Sequence, residues 1–379
     1  MEDTLFIAEE PYVSDLMLKT LEKNGYSVLK NDVSMHFCEN YNLNFTDGSG
    51  FSKVYSNSEN SVEWVLENFK NTNLARFIQI SKDKFSMRKE LREIYPDFFF
   101  EEILLKDIDK IKAENLPEKF IIKPAVGFLS MGVHKINSQN EWEQTVGLIK
   151  NEISDFKKNF PKAVLNSEKF IVEEIIEGEE FAVDVYFDNN RQPVIMNIFA
   201  HPFVSEDDVS DRIYISSKEI IETNIKDFEN ILGKIGKKIG LKNFPAHIEV
   251  IKKSNGEVVP VEINPMRFAG WCTTDLAYYA YGINIYEYFA DNKKPNWENI
   301  LKNKQGKIYY FAMAETPTGI DKTKITFDYE NLKKCFSKIL DFRKIDFVNK
   351  PVFAVIFGET EQQNEITKIL ELNMKNFIK

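Results

Sequence analysis

The 379-residue chain lacks several features that would place it in a common class. Its three cysteines, Cys38, Cys272 and Cys335, are far apart and odd in number, so we expect no disulfide framework and a reducing compartment. No Cys/His pair has the spacing of zinc ligands. No apolar run approaches the ~20 residues of a membrane-spanning helix. Neither a GxxxxGK(S/T) loop nor a GxGxxG loop after a strand occurs, which sets aside nucleotide binding by those two motifs.

The chain also lacks an excess of positive charge, with 49 Lys and Arg residues against 59 Asp and Glu residues. The net charge is −10 and the pI about 5.2, which argues against a nucleic-acid partner but leaves room for a local basic pocket that binds phosphates. The opening residues Met1-Glu2-Asp3-Thr4 are acidic and lack the layout of a signal peptide. We therefore expect a cytoplasmic protein with no membrane partner. The hydrophobic content of 43% is typical of globular proteins, and the length allows two to four compact units.

Elements of secondary structure can be placed from the sequence pattern. A strand at 4–8, a helix from a Ser14 cap to a Gly25 stop and a strand at 26–29 predict a small parallel sheet. Residues 81–94 are predicted to form a helix that is capped by Ser81. From residue 119 onward strands are predicted, with helices at 140–156, 225–240 and about 273–290, and the tail after about 305 alternates short strands and helices.

A hairpin at 246–264 places ligand-capable side chains together. Asn255-Gly256 predicts a two-residue type I′ turn, which needs positive φ at both central positions. Strand alternation about this turn puts four polar side chains on one face and four apolar ones on the other. The polar pairs are Glu249 with Glu262 and His247 with Asn264, and the expected core face holds Ile248, Val250, Val261 and Ile263.

The facing carboxylates of this hairpin suggest a metal site. Directly opposed Cβ atoms lie about 5 Å apart, where like charges repel unless a cation lies between them. Oxygen ligands at this reach suit Mg²⁺. The hairpin alone leaves open a second interpretation, in which the glutamates lie on a solvated face. Pro260 in the second strand predicts an edge strand or a local irregularity.

Two stretches earlier in the chain are candidates for nucleotide binding. Lys123, in an apolar strand before a small-residue loop at 125–131, could bind phosphate, or it could be an edge-strand lysine with its ammonium in water. Lys84 and Arg88 lie four apart on one helical face and could reach the same anion. The segment 172–180 runs from a strand through a glycine turn into a strand, so it is either a hinge that contacts adenine and ribose or a solvated acidic turn.

In combination these motifs resemble the ATP-grasp superfamily of carboxylate–amine ligases, such as D-alanine–D-alanine ligase, biotin carboxylase and L-amino-acid ligases. The resemblance covers about residues 81–290. The matching motifs, in order, are Asp83-Lys84, Phe120-Ile-Ile-Lys123-Pro, Val172-Glu173 with Gly178 and Glu180, His247-Ile-Glu249, and Val261-Glu262-Ile-Asn264-Pro265. The resemblance implies an α/β protein in which a small parallel α/β domain precedes two α+β subdomains that hold ATP between them. The implied domains are 1–83 (leading), 84–172 (lysine helix and lid), 173–300 (metal site) and 301–379 (an appended α/β segment).

Carried over by position, the resemblance implies a role for each site residue. Phosphates would be bound by Lys84, Lys123 and a flap with Gly127 and Ser130, adenine by the backbone around Glu173, Glu174 and Ile176, and ribose by Glu180. Two Mg²⁺ ions, or Mn²⁺ in their place, would be held by Glu249, Glu262 and Asn264. Arg267 and His247 would act in catalysis, with Arg212 and His201 as weaker substrate candidates.

The chain departs from the family pattern at three points. The flap has two glycines where many members have four or more, and His247 stands where some ligases have arginine. Arg267 comes one position later than the usual arginine after the metal carboxylate. For Arg212 and His201, a surface arginine and a loop histidine are equally good interpretations.

The activity implied by the resemblance is an ADP-forming ligase that joins a small-molecule carboxylate, such as an amino acid or small acid, to an amine through an acyl phosphate. A homodimer is compatible with it. Two alternatives stay open: a phosphotransferase that acts on a hydroxyl, and a regulatory protein that binds ATP without turnover. The complete set of metal-ligand residues argues against the second.

Overall fold

The computed structural model describes residues 3–37, 39–127, 132–159, 166–202 and 212–379. Within these ranges the strands form three sheets, two of four strands and one of eight. A small parallel sheet comes first and antiparallel sheets follow, which confirms the predicted α/β class. None of the helices described in these ranges is long and apolar enough to cross a membrane.

The leading sheet has the strand order β3-β2-β1-β4 and is parallel throughout. Its elements are β1 Thr4–Ile7, α1 Asp15–Asn24, β2 Ser27–Leu29, α2 Asp32–Phe37, β3 Asn44–Thr46 and β4 Lys53–Ser56, followed by α3 Val62–Asn68, α4 Asn73–Lys82 and α5 Lys84–Glu90. Helix α1 begins and ends as predicted, because Ser14 accepts a hydrogen bond from the Met17 amide and Gly25 adopts a left-handed conformation.

The helix predicted over 81–94 is wrong at both ends, since α5 begins at Lys84 and ends at Glu90. Ser81 lies buried inside α4, and the chain breaks at Asp83 before α5 begins. The Asp83 carboxylate accepts a hydrogen bond from the Ser86 amide, so aspartate rather than serine caps the helix. This cap places Lys84 at the first position of α5.

The middle sheet, which we call the lid, has the order β5-β8-β6-β7 and is antiparallel. Its elements are β5 Phe100–Leu104, β6 Phe120–Val126, β7 His134–Ile136, α6 Trp142–Asn159 and β8 Asn166–Glu174. The lid has an apolar core of its own, in which Phe120 packs against Trp142 with ring centroids 5.7 Å apart.

The main sheet has the order β13-β12-β9-β10-β11-β14-β16-β15. Its strands are β9 Glu179–Phe187, β10 Pro193–Ala200, β11 Ile213–Ser217, β12 Phe244–Lys252, β13 Val258–Pro265, β14 Ile308–Glu315, β15 Ile339–Lys344 and β16 Val352–Thr360. The helices along it are α7 Lys218–Ile239, α8 Leu276–Tyr281, α9 Ile285–Ala290, α10 Trp297–Ile300, α11 Tyr329–Lys333 and α12 Gln363–Leu370. Because β14 pairs with β11, the segment at 301–379 extends the sheet that carries the hairpin.

The leading sheet and the main sheet share one apolar core. The ring centroid of Tyr55 in β4, for example, lies 5.5 Å from that of Phe268, which follows the hairpin, and 5.6 Å from that of Tyr286 in α9. The leading sheet is thus packed against the loop that follows the hairpin of β12 and β13.

Candidate nucleotide and metal site

The hairpin pairs the predicted residues. Glu249 faces Glu262 and His247 faces Asn264 across strands β12 and β13. Strand β13 lies at the edge of the main sheet, as Pro260 predicts.

The predicted turn of this hairpin is wrong. Gly256 has a φ of 86°, but Asn255 is not among the residues with positive φ. The Lys253 amide donates to the Glu257 carbonyl, which closes a three-residue loop instead of a two-residue one. Such a loop commonly ends in a left-handed glycine, so the Asn-Gly pair indicated the hairpin correctly and the turn type incorrectly.

A β-bulge restores the register that this turn displaces. Val250 faces Pro260, whereas Glu249 faces Glu262, so Val261 is the extra residue of the bulge. The one-residue offset of the turn and that of the bulge cancel, and the carboxylates meet as predicted. Val261, expected in the core, is only half-buried because the bulge removes it from the alternation.

The facing carboxylates and the neighbouring amide form a compact oxygen-rich group. The Nδ2 atom of Asn264 lies 3.4 Å from Oε1 of Glu249. Nowhere in the described ranges do three or more His, Cys, Asp or Glu side chains form a metal-binding group. Two carboxylates and an amide nevertheless fit Mg²⁺, which is commonly held by one or two carboxylates, with water and phosphate oxygens completing its shell.

Lys84 supplies a cation to this group. Its Nζ lies 2.9 Å from Oε1 of Glu262. Burial opposes the charge on Lys84, but Glu262, Glu249 and Glu173 together more than offset this and raise the pKa of the lysine. Burial likewise opposes the charge on Glu262, while Lys84 and Lys82 hold the pKa of that carboxyl below its usual value. Both groups are therefore charged at neutral pH.

Glu173 joins the second predicted lysine to an arginine. Its Oε2 lies 2.8 Å from Nζ of Lys123, and its Oε1 lies 2.5 Å from Nε of Arg88. We call these three residues the inner ion cluster; their side chains are at most 7% exposed. Burial opposes the charge on Glu173, but the two cations lower its pKa to about 2. Burial lowers the pKa of Lys123, and Glu173 offsets part of this effect.

The hinge after β8 is a close approach of two backbones. A Cβ on Gly178 would lie 2.4 Å from the Lys252 carbonyl oxygen, so only glycine fits there. Of the predicted adenine and ribose residues, Glu174 accepts from the Phe99 amide at 3.3 Å, Ile176 packs against the main core, and Glu180 is exposed on β9. Their nucleotide contacts stay predictions.

The remaining predicted residues lie at the borders of the described ranges. Gly127 is buried just after β6, and Ser130 lies outside the described residues. His201 follows β10, with its ring 4.7 Å from that of Tyr214, and Arg212 directly precedes β11. The structure thus places His201 beside a strand of the main sheet, and its role in substrate binding stays a prediction.

Arg267 is paired with a residue from the leading domain. Its Nε and Nη2 each lie 3.0 Å from Oε1 of Glu59, and Lys82 also contacts this carboxylate. We call Lys82, Glu59 and Arg267 the outer ion cluster; its side chains are 15 to 20% exposed. Burial opposes the charge on Glu59, but Arg267 and Lys82 lower its pKa to about 2.

His247 is held by a buried aspartate on the neighbouring strand. Its Nδ1 lies 2.8 Å from Oδ1 of Asp184, which also accepts from the Ala269 amide at 2.8 Å. Asp184 is fully buried and stands directly opposite His247 in the β9–β12 pair. The carboxylate therefore fixes the orientation of the histidine and ties it to the loop that follows the hairpin.

That loop contains strained backbone. Met266, Trp271 and Cys272 have φ values of 61°, 55° and 57°, which residues other than glycine seldom adopt. The Ser56 amide of the leading domain donates to the Met266 carbonyl, and the Cys272 thiol donates to the Tyr12 carbonyl. The leading domain thus helps hold the loop in this conformation.

Three members of the site belong to no motif that the sequence shows: Glu59, Lys82 and Asp184. Glu59 opens a short 3-10 helix at Glu59–Ser61 and belongs to no motif. Asp184 lies within the strand Glu180-Phe-Ala-Val-Asp, where alternation could have indicated its face but not its partner. For Arg88 the sequence predicts only a role as an anion ligand.

The fold and this site agree with a sequence family that part of the chain matches. Residues 116–275 match the profile of the ATP-grasp domain. This match confirms the resemblance to the ATP-grasp superfamily that the motifs predict. No curated protein sequence matches it.

Solved structures with this fold span the whole chain. The L-amino acid ligase from Bacillus licheniformis has a TM-score of 0.68 at 14% identity, covering 100% of this chain and 98% of its own. N5-carboxyaminoimidazole ribonucleotide synthetase from Thermotoga maritima has a TM-score of 0.66 at 14% identity, covering 100% and 99%. Biotin carboxylase from Campylobacter jejuni, solved with β,γ-ATP, has a TM-score of 0.65 at 12% identity, covering 97% and 89%. At these identities the likeness defines the fold.

Proposed function

We propose that the protein is an ADP-forming ligase that joins a carboxylate to an amine at the expense of ATP. The observation that carries the proposal is the pairing of Glu249 with Glu262 beside the Lys84 ammonium, in a chain with an ATP-grasp domain. The three structures compared above are all described as ligases, synthetases or carboxylases. A small amino acid or other small acid is the substrate class we favour.

The nucleotide and its metal would occupy the space between the lid and the hairpin. In this proposal Lys84 and Lys123 bind phosphates, and Glu249, Glu262 and Asn264 hold Mg²⁺ or Mn²⁺; the ion pairs of the two lysines and the pairing of the carboxylates support these roles. When bound, the metal would offset negative charge on the phosphate oxygens. Lys84 would then share Glu262 with the metal, since that carboxylate is the partner of both.

The reaction would proceed in two balanced steps. A carboxylate oxygen attacks the γ-phosphorus of ATP, and the bond to the β,γ-bridging oxygen breaks, which gives an acyl phosphate and ADP. The amine nitrogen then attacks the acyl carbon, loses a proton and displaces inorganic phosphate. The residues of this chain contribute mainly charge and position, as expected for phosphoryl transfer.

Arg267 is the candidate for holding the substrate carboxylate, since its guanidinium suits bidentate binding of such a group. Glu59 occupies the carboxylate-binding position of Arg267, with its Oε1 3.0 Å from two nitrogens of the guanidinium. A substrate carboxylate would therefore bind in competition with Glu59. The homodimer and the cytoplasmic location expected from the sequence stay predictions.

A phosphate-release screen tests the proposal. Pairs of amino acids and small acids are supplied with Mg·ATP, and ADP, phosphate and any coupled amide are measured together. Glu262→Gln should lower turnover at least 100-fold without unfolding the protein, whereas Glu257→Gln, an exposed change on the same hairpin, should leave turnover unchanged. ATP-dependent phosphorylation of a hydroxyl with no amide, or full turnover by Glu262→Gln, would contradict the proposal.

A further inference from the structure

Arg88 lies at the meeting point of the lid, the lysine helix and the metal hairpin. It stands one turn after Lys84 on α5 and is 2% exposed. Its guanidinium carbon lies 4.3 Å from the centre of the Phe98 ring, which fixes the plane of the side chain. A residue so enclosed is not a free anion ligand of the kind that its helical spacing with Lys84 suggested.

The guanidinium binds two elements at once. Nε lies 2.5 Å from Oε1 of Glu173 in β8, and Nη1 lies 2.6 Å from the Pro260 carbonyl in β13. Glu173 also contacts Lys123, because its other carboxylate oxygen lies 2.8 Å from the lysine Nζ. One side chain therefore connects the nucleotide lysine of the lid to the metal hairpin.

The second contact falls on the bulge that orients Glu262. Pro260 is the last paired residue on the turn side of the bulge, where it faces Val250. Glu262 is the first paired residue beyond the bulge, where it faces Glu249. A bulge bends its strand and redirects the side chains beside it. By donating a hydrogen bond to the Pro260 carbonyl, Arg88 fixes the backbone at the bulge, and the bulge orients Glu262 toward Glu249.

We infer that Arg88 is a positioning residue that fixes Lys123 and Glu262 relative to each other. The nucleotide ligand and the metal ligand would then both depend on this one side chain for their positions. This rests on the proposed function only in taking Lys123 as a nucleotide ligand and Glu262 as a metal ligand. Arginine suits the task because its planar fork donates in two directions, which the single ammonium of lysine does not reproduce.

The test replaces Arg88 by lysine and uses Arg92→Lys as the matched control. Arg92 lies one turn further on, stacks 4.1 Å from the centre of the Phe100 ring and is exposed, with no carboxylate partner in the described ranges. Two affinities are measured: ATP in EDTA by calorimetry, and Mn²⁺ with a nonhydrolysable ATP analogue by electron paramagnetic resonance. Arg88→Lys should weaken ATP binding three- to tenfold and Mn²⁺ binding about tenfold, and Arg92→Lys should change both less than twofold.

The outcomes separate this inference from the proposed function. If folded Arg88→Lys binds both ligands as the wild type does, or loses only one affinity, the inference that Arg88 positions Lys123 and Glu262 together is overturned. Failure of the wild type to bind ATP would contradict the proposed function instead. Should Arg88→Lys not fold, amide exchange in the wild type decides: the ATP analogue with EDTA should slow exchange at residues 261–263 as well as in β6 and β8. Protection confined to the lid would overturn the inference.

Discussion

The inner and outer ion clusters have similar composition and different surroundings. Each contains one glutamate between two cations, and in each the glutamate pKa is about 2 because those cations outweigh the effect of burial. The inner side chains are at most 7% exposed, whereas the outer ones are 15 to 20% exposed. The inner cluster joins the lid to α5, and the outer cluster joins the leading domain to the loop after the hairpin.

This difference teaches which contacts a ligand can replace. Loss of one partner from an ion pair that water does not reach strongly destabilises the protein, because the remaining charge is buried without a partner or solvent. A pair that water already reaches can exchange one carboxylate for another at small cost. We therefore take the inner cluster as a fixed scaffold and the Glu59–Arg267 contact as one that a substrate carboxylate displaces.

The largest expected effect is on folding stability. Glu173→Gln should lower the free energy of unfolding by about 3 to 5 kcal/mol, because Arg88 and Lys123 would share a buried neutral amide. Glu59→Gln should lower it by only about 1.5 to 3 kcal/mol, because water screens Arg267 and Lys82. Denaturant unfolding at pH 7 measures both. Equal losses would remove the distinction between the clusters.

The second effect is on nucleotide affinity. Lys123→Ala should weaken ATP binding about 10- to 100-fold, and Lys123→Arg much less, because a phosphate at this position needs a positive charge. Lys82→Ala, the matched change in the outer cluster, should weaken it less than threefold. Calorimetry with Mg·ATP distinguishes these cases, and wild-type affinity in Lys123→Ala would make the lysine purely structural.

The third effect is on the carboxylate substrate. Arg267→Lys should raise its KM about tenfold and leave the affinity for ATP unchanged, because lysine cannot bind a carboxylate with two parallel hydrogen bonds. Steady-state kinetics with each substrate varied in turn gives the answer. A rise in the KM for ATP alone would indicate that Arg267 binds the nucleotide and not the substrate carboxylate.

The metal hairpin shows what sequence patterns can establish. Alternation and an Asn-Gly pair were enough to bring Glu249 opposite Glu262, because two one-residue offsets cancel. The individual offsets were beyond reach. A three-residue loop and a two-residue turn share the same glycine preference, and a proline in a strand indicates an irregularity without giving its form.

The ion clusters show what those patterns leave out. Lys84, Lys123 and Glu173 were predicted from motifs, but each partner comes from a distant segment: Glu173 lies 85 residues from Arg88, and Glu59 lies 208 residues from Arg267. Such pairs depend on how α5 packs on the lid and how the leading domain packs on the main sheet. Local periodicity carries no information about either contact, so Glu59 and Asp184 were not predicted at all.

The smallest expected effect, and the most specific to the outer cluster, is on acid stability. The pKa of Glu59 is about 2 in the folded protein against an ordinary value of 4.5, so the unfolded chain takes up a proton first as the pH falls. The stabilisation is therefore complete above pH 4.5 and is lost as the pH drops toward 2. Between pH 4.5 and pH 3.5, the wild type should lose about 1 kcal/mol more stability than Glu59→Gln, in which this group cannot titrate. Urea unfolding at the two pH values, with Glu63→Gln as an exposed control from the neighbouring helix, measures the difference. If Glu59→Gln loses as much stability as the wild type, the Glu59 carboxylate is not held by Arg267 and Lys82 in solution, and a substrate carboxylate would meet no competitor at Arg267.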